Sequence, residues 1–199
     1  MSTENSKTIR QFFKYFNRFM VLMWRLGCGK LVNFYPPIFG RILVITHTGR
    51  KSGKRHRTPV NYTTIDGEIY CVAGFGSVSD WYRNIKTNPQ IELWLPDGWW
   101  VGEVEEVGQI EGRAVIMRQL MKDSGFAARV AGLNPYTMSD AELIETTASY
   151  ILLRVRRAAA STGPGGPGDL VLIWPILVFI LLPLVLCRRR MCRSESEEG

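Results

Sequence analysis

The sequence has few of the residues that build metal centres and disulfide frameworks. It contains two histidines and four cysteines, and the cysteines are scattered without C-x-x-C spacing. Structural zinc sites need closely spaced Cys and His ligands, and disulfide scaffolds need a dense cysteine pattern. We therefore predict no metal site, and we expect the cysteines to be reduced thiols of a cytosolic domain.

A secretory signal and an acidic excess are also missing. The start of the chain is polar with mixed charge, and no small-residue cleavage site follows the apolar stretch after it. The main domain is therefore expected in the cytoplasm. The formal charge of +7 favours an anionic partner such as a phosphate or an anionic lipid. Nucleic acid is not predicted, because the cations bunch in one glycine-rich turn rather than along a groove.

What is present divides the chain into five segments of different composition. Near the N-terminus, Phe and Met recur at three- and four-residue steps, which is typical of an amphipathic helix. This helix is expected to lie on a bilayer surface or to pack across an open end of the main domain. Leu170–Cys187 carries no charge and precedes several arginines, which indicates a spanning or re-entrant membrane segment. The predicted segments are an N-terminal amphipathic helix region (1–39), a central domain (40–157), a Gly/Pro linker (158–169), a hydrophobic membrane segment (170–187) and a charged tail (188–199).

Short strands separated by hairpin turns and helices are predicted in the central domain. Asp66-Gly67 is a two-residue hairpin signal between two β-rich stretches. Ser139 and Glu142 match a capping box that opens a late helix. About six strands in this pattern favour a mainly β (α+β) fold over a parallel doubly wound sheet. The expected architecture is a split antiparallel β-barrel with flanking helices.

One glycine-rich basic turn stands out as a candidate anion site. It reads THTGRKSGKRHRTP from Thr46 to Pro59, between two predicted strands. Gly49 and Gly53 allow a tight turn that exposes backbone N–H groups, and five cations surround them. It is not a P-loop, because the Gly-Lys-Ser/Thr at a helix start is absent. The alternatives are a site for a phosphate or a chain of carboxylates and a merely solvated basic hairpin.

Four short motifs follow one another in the central domain. They are THTGRKSG at Thr46–Gly53, TPVNY at Thr58–Tyr62, GFG at Gly74–Gly76 and DWYRN at Asp80–Asn84. In this combination the chain resembles the deazaflavin-dependent nitroreductase and quinone reductase family over roughly residues 40–156. The resemblance implies a barrel of the flavin-reductase type that binds coenzyme F-420, a 5-deazaflavin with a phosphate and an oligoglutamate tail.

The resemblance also implies roles for individual residues. The basic loop would contact the anionic tail, the residues just after it the phosphate, and the small-residue loop the deazaflavin ring. One position departs from the family, because His56 stands where many members have an arginine. The neighbouring arginines on either side are the candidates to compensate. The cofactor-binding residues implied in this way are Arg50, Lys51, Ser52, Arg55, Arg57, Thr58, Pro59, Gly74, Phe75, Gly76, Trp81 and Asn84.

The implied reaction is hydride transfer from the reduced deazaflavin to an acceptor. The membrane-facing features favour a lipophilic quinone, with a nitro compound as the other acceptor class. Tyr62 and Tyr136 are the candidates to protonate the acceptor or hydrogen-bond to it. Two alternatives stay open: an FMN-dependent reductase on the same barrel, and a non-catalytic, membrane-tethered cofactor-binding protein. Membrane lipid is an expected partner, and a homodimer is a candidate assembly because barrels of this type often pair.

Overall fold

A closed, six-stranded antiparallel barrel forms the centre of the structure. The computed structural model describes residues 3–108 and 110–183, and the side chains of all of these but 3–10 and 12. Around the barrel the strands run in the order β1-β2-β3-β6-β5-β4. The predicted barrel with flanking helices is confirmed. The strands are β1 (Ile42–Thr48), β2 (Arg55–Ile65), β3 (Glu68–Ala73), β4 (Gln90–Leu95), β5 (Gly98–Val107) and β6 (Ile151–Ala160).

Helices cover the outside of the barrel. The longest, α1 (Thr3–Arg25), packs Trp24 against Val44 of β1 and Trp94 of β4. Leu43 and Leu93 lie fully buried in the barrel interior, and a second apolar cluster holds α5 against β6. The other helices are α2 (Gly29–Val32), α3 (Pro36–Phe39), α4 (Asp80–Thr87), α5 (Arg113–Asp123), α6 (Phe126–Val130) and α7 (Asp140–Thr146), with a 3-10 turn at Gly76–Val78.

Two local signals in the sequence form the structures they predict. Asp66 and Gly67 both have positive φ, +52° and +82°, and join β2 to β3 as a two-residue hairpin. The Ser139 hydroxyl accepts from the Glu142 N–H at 3.2 Å, and the Glu142 carboxylate accepts from the Ser139 N–H at 2.7 Å. Both structures join residues that are no more than four positions apart, so the local sequence suffices to specify them.

The Gly/Pro stretch after the barrel is packed rather than free. Strand β6 continues to Ala160, and the Gly168 N–H then donates to the Trp24 carbonyl at 3.1 Å. Asp169 accepts from the Arg25 guanidinium at 2.9 Å. These bonds hold the stretch against the C-terminal end of α1, because that end presents carbonyl groups without helical partners.

Residues 173–183 are helical, and all of them are exposed. Across residues 3–108 and 110–183, no helix has both the length and the apolar character needed to cross a membrane. The predicted membrane segment (170–187) is therefore not supported as a transmembrane helix. Its last four residues and the predicted charged tail (188–199) lie outside the described residues.

Candidate functional site

The basic loop between β1 and β2 is a tight turn. The Gly49 N–H donates to the Lys54 carbonyl, and the Gly53 N–H donates to the Gly49 carbonyl, both at 2.8 Å. Gly53 has a φ of +63°, which favours glycine. A Cβ on Gly49 would lie 2.8 Å from the His56 ring. The turn therefore needs one glycine for its backbone angle and the other for space.

Arg50 points from this turn to helix α4. Its backbone N–H and its Nη1 donate to the Asn84 Oδ1 at 3.1 and 2.9 Å, and its Nη2 donates to the Asp80 Oδ1 at 2.9 Å. The hydrogen bond from Arg50 holds the pKa of the Asp80 carboxyl below its usual range. Arg50 thus braces the loop on α4, while Lys51 and Ser52 are exposed at its tip.

A buried histidine continues this brace into the barrel. The His47 Nδ1 lies 3.3 Å from the Asn84 Nδ2, and the His47 Nε2 lies 3.1 Å from the Thr58 Oγ1. Because the Asn84 oxygen already accepts from Arg50, its Nδ2 donates to Nδ1 of the histidine. The proton of neutral His47 is therefore on Nε2, which donates to the Thr58 hydroxyl. Three predicted cofactor-binding residues, Arg50, Thr58 and Asn84, meet in this network.

His47 makes stability depend on pH. It is 3% exposed, and burial, helped by the nearby His56, lowers the pKa of His47 from 6.5 to about 4. Folded His47 therefore stays neutral where unfolded His47 takes up a proton. Its contribution to stability is complete above about pH 6.5 and is lost as the pH falls towards 4. We expect the free energy of unfolding to drop by about 2 kcal/mol between pH 7 and pH 5 from this group.

Urea unfolding at both pH values measures this effect. We expect His47→Gln to remove the drop, because glutamine does not titrate. The exposed His56 provides the matched control, and His56→Gln should keep most of the drop. An unchanged pH dependence in His47→Gln would show that other groups cause it.

A cavity of about 650 Å³ opens next to the loop. This volume falls within the range of about 300–1,000 Å³ that is typical of small-molecule sites. Thr58 and Pro59 line it from β2, Gly74 and Phe75 from the end of β3, and Trp81 from α4. The structure thus brings together five of the residues predicted to hold the phosphate and the ring.

Helix α1 lines one side of this cavity, and packing across an open end of the main domain is one of the two positions expected for it from the sequence. Phe13 lies 6.1 Å from Phe75 between ring centroids, and Phe16 lies 5.3 Å from Phe126 of α6, both edge to face. Such pairs add to the stability of packed aromatic rings. The helical spacing of the aromatic residues predicts a helix with one apolar face. It does not show which surface that face covers.

The turn after β3 is shaped by packing and leads to a buried serine beside the cavity. Gly76 has a φ of +59°, and a Cβ there would lie 2.6 Å from the Ser149 carbonyl oxygen. Ser79 lines the cavity, and its buried hydroxyl has no hydrogen-bond partner within the described part of the chain. Buried hydroxyls normally have a partner. A ligand with a polar ring edge would supply one, so the residues here fit a deazaflavin.

The two arginines expected to compensate for His56 lie elsewhere. Arg55 forms an ion pair with Glu92 of β4. Arg57 lies 4.6 Å from the centroid of the Trp94 ring, and its Nη2 donates to the Gly165 carbonyl at 3.0 Å. Neither is among the described residues that line the cavity of about 650 Å³. The exposed cation that lines this cavity is Lys14 of α1, and Lys51 is exposed at the tip of the basic loop.

The tyrosines predicted to act on the acceptor do not line this cavity. Tyr62 is buried in the barrel interior, and Tyr136 is exposed and lies against Lys122. Tyr150 lines the cavity instead, with its ring 3.8 Å from the position of a Cβ on Gly74. Burial raises the pKa of Tyr150, so the hydroxyl stays protonated and able to donate at neutral pH.

A comparison with protein families finds a match over the centre of the chain. The family model described as F420H(2)-dependent quinone reductase matches residues 18–124. This range contains the basic loop, the small-residue turn after β3 and helix α4. Phe13, Phe16 and Tyr150 lie outside it.

Solved structures match parts of the chain at low identity. A protein of unknown function from Agrobacterium tumefaciens str. C58 is 17% identical with a TM-score of 0.45, and the match covers 72% of this chain and 56% of that protein. A conserved hypothetical protein from Mycobacterium tuberculosis is 18% identical with a TM-score of 0.43, covering 70% and 91%. An F420-H2 dependent reductase is 25% identical with a TM-score of 0.39, covering 58% and 92%.

Proposed function

The chain belongs to the F420H(2)-dependent quinone reductase family, and we propose that it transfers a hydride from reduced coenzyme F-420 to a quinone at a membrane. Family membership makes the protein an oxidoreductase and coenzyme F-420 its cofactor. The cavity of about 650 Å³ beside the cationic loop carries the proposal. It combines apolar and aromatic walls for a planar ring with exposed cations for an anionic tail.

Each part of the site has a role in this reaction. Lys51 and Ser52 would hold the anionic tail at the loop tip, Gly74 and Phe75 would face the ring, and the Ser79 hydroxyl would hydrogen-bond to the ring edge. When bound, the reduced deazaflavin supplies the hydride. The protein orients the ring, and the aromatic face of α1 excludes water from it. No acid–base triad is required, because the cofactor supplies the difficult chemistry.

An absorbance assay tests the proposal by mixing the full-length protein with reduced coenzyme F-420 and a menaquinone analogue. We expect the absorbance of oxidised deazaflavin to reappear only when all three are present. If the protein binds coenzyme F-420 without oxidising it, the non-catalytic alternative is supported. If FMN, and not coenzyme F-420, stays with the protein on gel filtration, the FMN alternative is supported.

Exposed apolar surface supports a membrane-bound acceptor. Phe19 and Leu22 on α1 are 55% and 44% exposed, and the helical residues 173–183 are exposed on all sides. A helix that is apolar all round is stable when buried in protein or in lipid. We propose that this surface holds the protein at a membrane, with the barrel on the cytoplasmic side. A quinone dissolved in the bilayer would then reach the cavity.

Tyr150 is the proposed proton donor to the acceptor. We expect Tyr150→Phe to reduce turnover with a quinone by about a hundredfold, because general acid catalysis contributes about that much or more. The affinity for coenzyme F-420 should stay within about threefold, because the ring of residue 150 is retained. Steady-state kinetics and a binding titration separate the two effects. A larger loss of turnover in Tyr62→Phe or Tyr136→Phe would favour the tyrosines predicted from the sequence.

A further inference from the structure

Helix α1 and strand β2 line a second, smaller and open cavity that the proposed hydride transfer does not use. It measures about 320 Å³ and is lined by Lys14, Asn17, Arg18 and Val21 of α1 and by Arg57 of β2. Lys14 and Asn17 also line the larger cavity, so the two cavities are neighbours along α1. Three of these five side chains are cationic and none is acidic. The lining therefore suits an anion.

The carboxylates nearest Arg57 already have other partners. Asp169 accepts from Arg25 at 2.9 Å, and Glu92 pairs with Arg55. Arg57 itself donates to a backbone carbonyl and stacks on an indole ring, neither of which carries a negative charge. Its positive charge is therefore not neutralised locally.

The two cations on α1 are also unbalanced. Lys14 and Arg18 are both exposed and lie four residues apart, on the same face of the helix. Within the described chain, neither forms an ion pair with a carboxylate. Like charges at this spacing destabilise a helix. A bound anion would reduce this repulsion.

The small cavity lies beside the point where the apolar C-terminal helix leaves the barrel domain. Arg57 bonds to Gly165, and the Trp174 Nε1 donates to the Leu26 carbonyl at 2.9 Å. The helical residues 173–183 therefore begin against the end of α1. A bilayer that took up these residues would bring its anionic headgroups to this end of α1.

We infer that Lys14, Arg18 and Arg57 form a second anion site, which binds a phosphate group. Guanidinium groups hold phosphate oxygens through paired N–H donors, and a third cation adds to the attraction. Two sources present this chemistry: a phospholipid headgroup, and the phosphate of a cofactor that extends from the larger cavity along α1. The inference does not depend on the acceptor or on hydride transfer.

The test compares the wild type with Lys14→Gln/Arg18→Gln. Both side chains are exposed, so we expect the thermal midpoint to stay within about 2 °C. One arm measures sedimentation with phosphatidylcholine vesicles that contain phosphatidylglycerol, and the other measures coenzyme F-420 affinity. We expect a loss of roughly thirtyfold in one arm, which corresponds to about 2 kcal/mol at 1.4 kcal/mol for each factor of ten.

Lys30→Gln/Arg129→Gln is the matched control, because it removes two exposed cations that line neither cavity. It should lose less than about threefold in either arm. A selective loss of vesicle binding in Lys14→Gln/Arg18→Gln identifies a lipid phosphate. A selective loss of coenzyme F-420 affinity identifies the cofactor phosphate if Arg18→Gln alone also shows it, because Arg18 lines the small cavity and not the larger one. Equal losses in the two double variants, or no loss in either arm, would overturn the inference. The vesicle arm reports on this site even if the enzyme assignment fails.

Discussion

Valine in place of Gly74 is expected to weaken coenzyme F-420 binding by about a hundredfold while leaving the fold intact. A Cβ at this position would find its nearest neighbour at 3.8 Å, in the Tyr150 ring, which is ordinary van der Waals distance. Gly74 has no positive φ that would strain a larger residue. The two methyl groups of valine would instead occupy the cavity where the ring is proposed to lie. Overpacking of this kind costs about 1–3 kcal/mol.

Fluorescence or calorimetric titration with coenzyme F-420 measures this loss, and a thermal melt checks the fold. We expect the melting midpoint to change by less than about 2 °C. Gly108→Val is the control, because a Cβ on Gly108 meets nothing within 4 Å and the residue does not line the cavity. It should retain wild-type affinity. If Gly74→Val also binds normally, the deazaflavin ring does not lie against this turn.

Alanine in place of Gly125 is expected to be the most destabilising of the substitutions considered. Gly125 has a φ of +56° and a ψ of −127°, a conformation that glycine adopts and other residues avoid. A Cβ there would lie 2.5 Å from the Gly40 nitrogen and 2.6 Å from the Ile38 carbonyl oxygen. Both are backbone atoms, so no side chain can turn away. Strain and overpacking together should cost about 4 kcal/mol.

A thermal or urea unfolding experiment measures this cost, with a drop of about 12 °C expected in the melting midpoint. Gly132→Ala separates the cost of backbone strain from the cost of the steric clash between the new Cβ and the backbone. Gly132 has a φ of +77°, but a Cβ there meets nothing within 4 Å, so it should cost only about 1 kcal/mol. Equal destabilisation by the two substitutions would mean that Gly125 is needed only for its backbone angle. Because Ser124 and Ala127 line the cavity, Gly125→Ala should also weaken coenzyme F-420 binding.

The turn in the basic loop could be predicted from local sequence, whereas its contacts with helix α4 could not. The pair Gly49 and Gly53 predicts a tight turn, and the turn forms through bonds between residues four and five positions apart. Its attachment to the rest of the protein was not predictable in the same way. Arg50 bonds to Asp80 and Asn84, more than 29 residues away in sequence. Only the closed barrel brings β1 and α4 close enough for that bond.

Arg57 and Thr58 show the same limit on a strand. Adjacent residues of any β-strand point to opposite faces, so a strand predicted here already places Arg57 and Thr58 on different faces. Arg57 contacts Trp94 and the Gly165 carbonyl, whereas Thr58 contacts His47. These partners differ because different segments cover the two faces of β2. The tyrosines follow this rule as well. Tyr150 lines the cavity and Tyr62 does not, although both occur in strand-like sequence.

By itself the sequence determined the six strands, the turns between them, the basic loop and, through its ordered motifs, the family. These features depend on backbone preferences and on hydrogen bonds within a few residues, so short stretches of sequence specify them. The tertiary structure decided between the two positions expected for α1. It alone decided that Arg57 faces away from the larger cavity and that Tyr150 lines it. Those arrangements depend on which faces meet when distant segments pack, and hydrophobic burial has no direction that a short stretch of sequence can encode.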